Sequence, residues 1–157
     1  MLLVSVALGV VHVGVAAAWL GAMLYSRAVV QPRAERFFDD PDRSEVFAVT
    51  LATGARWKVL GMCAALGVSG IGLVVAELAG ETGRSGVWVG LVVAKAVLLA
   101  VAVAVFIHVS WRLWPARIMA LPDELVVLQR RFRTVALVLT GVVATGLVLG
   151  TVADSIR

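Results

Sequence analysis

Apolar residues run along this chain in four long stretches, parted by segments rich in charge, proline and glycine. The stretches fall at about residues 2–28, 57–79, 87–110 and 135–152. Each is close to the roughly 20 apolar residues that a helix needs to cross a hydrocarbon core. A transmembrane barrel would instead need alternating strands of roughly 10 residues. Continuous runs of Ala, Leu, Val and Gly do not supply them. The pattern therefore predicts an all-α integral membrane protein, a four-helix up-down-up-down bundle with residues 1–157 as a single domain. The first run has no basic residue ahead of it. It also exceeds the roughly 7–15 apolar residues of a secretory leader, so it is expected to be retained as the first span.

The polar segments add local detail. Asp40-Pro41 reads as an N-cap followed by proline at the first helical position. Phe47 and Leu51 then give a short amphipathic helix before Gly54, expected to lie along the interface or to extend the second span. Pro115 is expected to close the third helix. Pro122, with Asp123 and Glu124 in the first turn, opens a helix leading into the fourth span. The connection at 80–86 is short and glycine-rich, which makes the helices it joins antiparallel neighbours. Ala17 and Gly21, and Gly146 and Gly150, have the small-xxx-small spacing that lets helices approach closely in lipid. The second span adds Gly61, Gly67, Gly70 and Gly72. Such faces serve either packing inside the chain or contact with a second copy or a partner subunit.

Composition agrees with lipid as the solvent. Hydrophobic residues make up 61% of the chain and charged ones 15%, against about 45–50% and about 25% in soluble domains. Charge then predicts orientation. Arg27, Arg33, Arg36, Arg43, Arg56 and Lys58 surround the first connection, and Arg112, Arg117, Arg130, Arg131 and Arg133 the third. The second connection has only Arg84. Basic residues mark the cytoplasmic side, so segments 29–56 and 111–134 are expected inside and both termini outside. The formal charge of +4 is thus an orientation signal and implies no nucleic-acid partner. Trp57, Trp111 and Trp114 fall near the predicted inner interface and Trp88 near the outer one.

Ionisable residues inside a span are costly and are functional candidates by default. Here they are His12, Lys95, His108 and, near the outer end of the second span, Glu77. At about 1.5 Å per residue, His12 and Lys95 lie at similar depth in the outer half. His108 lies roughly 20 Å further in. His12, Ala16, Trp19 and Met23 form one stripe of the first helix. Lys95 and Ala102 share a face of the third, from which His108 points away. His12 and Lys95 can therefore face each other. His12 and His108 differ too much in depth to be the two axial ligands of one haem. Plainer roles exist for each. Lys95 could snorkel outward to Glu77, and His12 could be a neutral imidazole bonded to a backbone carbonyl. His108 could be an interfacial residue, while Met23, Met62 and Cys63 could fill the core.

The segment His12-Val-Gly-Val-Ala-Ala-Ala-Trp19-Leu-Gly21-Ala-Met-Leu-Tyr25 resembles the His-x6-Trp-x-Gly motif of bacterial four-helix membrane units. One such unit is the copper resistance protein D domain, and another is the membrane-bound, non-flavin protoporphyrinogen oxidase. Lys95-Ala-Val-Leu-Leu and Arg112-Leu113-Trp114-Pro115 are similar to the Lys-x-x-L and RL-x-P elements of the copper family. Arg56-Trp57, running on to Gly70 and Gly72, fits as well. The copper resemblance implies a bacterial inner-membrane protein that takes up or passes a metal ion, with His12, Met23, Met62, Cys63 and His108 as the soft ligand set suited to copper. The chain has no Met-x-x-Met pair. The oxidase resemblance rests on His12, Trp19, Tyr25, Lys95 and His108. It implies haem b or a porphyrin, with His12 as axial ligand or redox partner and Lys95 facing a propionate. A third reading is a non-catalytic accessory subunit of a membrane complex. No nucleophile–base pair, phosphate loop or Cys-x-x-Cys occurs, so hydrolysis, ATP-driven pumping and thiol redox chemistry have no support.

Overall fold

The structure, a computed structural model, describes residues 2–79 and 85–155. Arg84 and most of the 80–86 connection lie outside them. In chain order the elements are α1 (Leu2–Tyr25), a π-helical turn (Ser26–Val30), α2 (Gln31–Phe37), α3 (Pro41–Ala52), α4 (Ala55–Leu78), α5 (Gly86–His108), a second π-helical turn (Val109–Leu113), α6 (Trp114–Ile118) and α7 (Pro122–Ser155). Among the described residues there is no strand. Four helical runs, Leu3–Phe37, Arg43–Leu78, Gly86–Ile118 and Glu124–Ala153, are long and apolar enough to cross a membrane. They form the four-helix bundle that the apolar pattern predicts.

Local chemistry explains the starts. The Ser85 hydroxyl accepts the Trp88 backbone N–H at 3.2 Å and caps α5. The Glu124 carboxylate accepts the Leu121 N–H at 3.2 Å, the back-bond of a capping box around Pro122. The Asp40 carbonyl accepts the Ser44 N–H where α3 opens. Gly54 ends the α3 segment at φ +77, a left-handed conformation that costs glycine little.

One proline behaves differently from expectation, whereas Pro41 and Pro122 open α3 and α7 as expected. Pro115 does not close the third helix: the chain passes through it to Ile118. Segments 29–56 and 111–134 are accordingly helical for most of their length. The reason is the π turn before each proline. Proline clashes with the carbonyl four residues back and lacks an N–H. A π turn sets the bonding five residues back, as in Trp114 N–H to the Val109 carbonyl and Gln31 N–H to the Ser26 carbonyl. One carbonyl still loses its donor. In that register Pro115 would have served Ser110, and the Arg56 guanidinium donates to the Ser110 carbonyl instead, at 2.6 Å. The same guanidinium lies 4.5 Å from the centroid of the Trp111 ring. Ser110 is buried, at 7% exposure, so Arg56→Ala leaves an acceptor without its donor. The expected cost is about 1–3 kcal/mol, read as a fall in thermal midpoint in detergent. Arg56→Lys should recover part of it. An alanine variant that melts with the wild type would mean that another donor serves Ser110.

Helix α1 packs mainly on α4, and α5 mainly on α7, so each hairpin forms one seam. The hairpins join chiefly where α1 meets α7. A thin core crosses all four helices: Trp19 from α1, Cys63 and Leu66 from α4, Ala102 from α5, and Leu139 and Val143 from α7. Trp19 (3% exposed) and Ala102 (1%) are its most enclosed members. The apolar residues outside it are many. Val10, Ile71, Val93 and Val148 are all more than half exposed. Contiguous apolar surface on this scale is not sustained in water. It is the surface of a multi-pass membrane protein. Trp57 (72% exposed) and Trp111 (44%) lie on that surface, whereas Trp88 is buried at 6%. The buried ring is therefore no outward-facing interface anchor.

The glycines divide in the same way. A methyl group at Gly70 would stand 3.2 Å from His12 Cε1, and one at Gly72 would stand 2.9 Å from Leu8 Cδ1. These two mark where α1 and α4 come closest. Gly21, Gly61, Gly67 and Gly146 meet nothing within 4 Å and lie where lipid or another helix would reach them.

Candidate functional site: a histidine held in the first seam

His12 faces α4. Its Nδ1 lies 2.9 Å from the Ser69 hydroxyl oxygen. Ser69 is buried at 3% exposure, and its own proton goes to the Ala65 carbonyl at 2.6 Å. A hydroxyl has one proton to give, so toward His12 it accepts. In that arrangement the imidazole donates from Nδ1, the tautomer whose ring lone pair is on Nε2. An oriented imidazole of this kind is what a partner hydrogen bond provides at metal-binding histidines. Gly70 is the local requirement: any side chain there would press on the ring.

Trp19 and Cys63 are both buried in the common core, and Met23 and Met62 pack against it. Six residues separate Ser69 from Cys63, about 9 Å along the helix. His12, Cys63, Met62 and Met23 therefore stand at successive depths along α1 and α4. They do not surround one point. Among the described residues, no group of three or more His, Cys, Asp or Glu side chains could hold an ion by itself.

Lys95 faces α7. A methyl group at Gly150 would stand 3.2 Å from its Nζ. His12 and Lys95 thus each meet a glycine of the returning helix in their own hairpin. The two hairpins share a plan: Pro32 follows His12 by 20 positions, and Pro115 follows Lys95 by 20. A π turn precedes each proline, and a proline-led helix follows each in turn.

The remaining candidates lie elsewhere. Tyr25 is 60% exposed and borders a groove of about 650 Å³ with Arg33, Arg36 and Phe47. His108 is exposed and borders another of about 610 Å³ with Arg130 and Arg131. Both grooves are at the arginine-rich end, remote from His12 along the helices.

Sequence reasoning missed Ser69, although a signal was present. Ser69 stands ten residues before the end of its span and His12 ten residues after the start of its own, so the two share a depth. Compared with protein-family models, with curated proteins and with solved structures, the chain matches none of them.

Proposed function

We propose that this chain is a multi-pass protein of a bacterial inner membrane that takes up or passes copper along the seam between α1 and α4. One observation carries the reading: the imidazole held by Ser69 shares the α1–α4 half of the bundle with soft donors, Cys63 in the core and Met62 and Met23 packed against it. Thiolate, thioether and imidazole donors favour Cu(I). Donors spaced along a helix pair suit an ion handed from one to the next better than one held in a cage. The resemblance of the His12–Tyr25 segment to the copper resistance protein D family supports the same reading. The arginine-rich end is then cytoplasmic and both termini lie outside, by the distribution of basic residues. His12 stands in the outer half, where an arriving ion would meet it first.

The test uses the detergent-purified chain. Copper and iron are quantified after loading with Cu(I) under reducing conditions, and absorption spectra are taken of the protein as isolated, oxidised and then reduced. Copper near one equivalent per chain in a colourless protein is the expected result. A Soret band with α and β bands on reduction would replace copper by haem at His12. A chain that carries no haem and takes up no copper would end the metal reading and leave an accessory subunit.

A further inference from the structure

The arginines at one end of the bundle fall into two sets. Arg117 and Arg133 pair with Glu45 and Glu35, and Arg43 approaches Asp40. Arg27 and Arg56 donate to the carbonyls of Arg133 and Ser110. The guanidinium groups of Arg33, Arg36, Arg112, Arg130 and Arg131 make no ion pair or hydrogen bond among the described residues, and the last two are neighbours on α7. Both border the same groove of about 610 Å³, between α7 and the π turn that ends the third span. Leu113, Val126, Val127 and Val135 give that groove a largely apolar lining, which His108 and Thr134 complete. Among the described residues no carboxylate lines it.

Its level matters. Beyond Arg133, α7 carries no charged residue until Asp154, so the groove straddles the point where the apolar span begins. Trp111, on the adjoining π turn, is exposed at the same end. Two cations without a counter-ion sit over an apolar channel at a membrane–water boundary. A soluble anion would gain nothing from the channel, and a zwitterionic phospholipid would bring a cation of its own against the two arginines. An anionic phospholipid uses both.

We propose that this groove binds one anionic phospholipid. Arg130 and Arg131 hold its phosphodiester, His108 adds a further polar contact, and an acyl chain lies along Leu113, Val127 and Val135. Paired basic side chains near an interface raise affinity for anionic headgroups by about fivefold each. The occupant neutralises adjacent like charges and seals α7 to the third span.

The full chain in neutral detergent is titrated with phosphatidylglycerol and with phosphatidylcholine of matched chains, and the first lipid bound is counted by native mass spectrometry. Wild type should prefer phosphatidylglycerol by about fivefold or more. Arg130→Gln with Arg131→Gln should bring the two lipids near parity, Arg130→Lys with Arg131→Lys should keep most of the preference, and Arg43→Gln, at an arginine beside Asp40 and outside the groove, should leave it intact. Equal binding of both lipids by wild type, or a preference that survives the glutamine pair, overturns the proposal. Displacement of the phospholipid by millimolar inorganic phosphate also overturns it, because the site would then be a simple anion site. If the glutamine pair does not fold, the lysine pair and the phosphate competition still decide the matter.

Discussion

Replacing His12 by alanine should abolish stoichiometric Cu(I) uptake while leaving the bundle folded. The side chain is half-buried, and the hydroxyl it leaves behind keeps its bond to the Ala65 carbonyl. The core of Trp19, Cys63, Leu66, Ala102, Leu139 and Val143 does not include the imidazole, so far-ultraviolet circular dichroism should not change. Ser69→Ala makes the sharper comparison. It retains the ligand and removes the group that fixes its tautomer and orientation. Loss of such a partner typically costs 10–100-fold in metal affinity. The expected order is therefore wild type, then Ser69→Ala weakened by about that factor, then His12→Ala with none. Metal competition with a Cu(I) chelator measures all three. If His12→Ala binds copper like the wild type, the soft donors act without the histidine and the site assignment fails.

Arg117→Ala should be the most destabilising single substitution in the arginine-rich end. The guanidinium meets Glu45 through two bonds, Nε to Oε1 at 2.6 Å and an Nη to Oε2 at 2.7 Å. The side chains are 15% and 25% exposed, so water replaces little of what is lost. The same group lies 5.1 Å from the Phe132 centroid and 5.8 Å from that of Trp114. One side chain thus ties α3 to α6 and α7. Breaking a buried pair from one side costs about 3–5 kcal/mol. The residual exposure brings the expectation down to about 2–3 kcal/mol. Arg117→Lys keeps the charge but not the fork and should fall between. The surface pair Arg133–Glu35, with both side chains more than half exposed, gives the contrast: Arg133→Ala should cost less than about 1 kcal/mol through that pair. Thermal midpoints of the three variants in one detergent check the ranking. Equal losses for Arg117→Ala and Arg133→Ala would show that burial does not set the strength of the pair.

What could be read from the chain and what could not follows from the range of each signal. Span number, helix type and the start of α3 at Pro41 come from runs of ten residues or more and from proline chemistry, both local. The course of the helices through Pro32 and Pro115 did not, because proline normally ends the helix before it. The donor that makes continuity possible at Pro115, Arg56, stands 54 positions from Ser110. Ser69 stands 57 positions from His12. It was within reach of the depth arithmetic that placed Lys95, but a serine in a glycine-rich helix reads as a small packing residue. The shared plan of the hairpins was hidden because one half places histidine where the other places lysine.

The π turns have a consequence for how this protein tolerates change in length. A helical residue more or less turns everything beyond it by about 100°, which in most spans would carry apolar positions off the bundle. A π turn already holds an inserted residue. Removing one from Val109–Leu113 would take away the bulge that accommodates Pro115 and rotate Arg117 away from Glu45. Nothing in the apolar span before it would have to move. The register of the membrane half and the register of the arginine-bearing half are therefore set separately, with the bulge as the joint between them, and an insertion or deletion at that joint would re-pair the charges without touching the seam that holds His12.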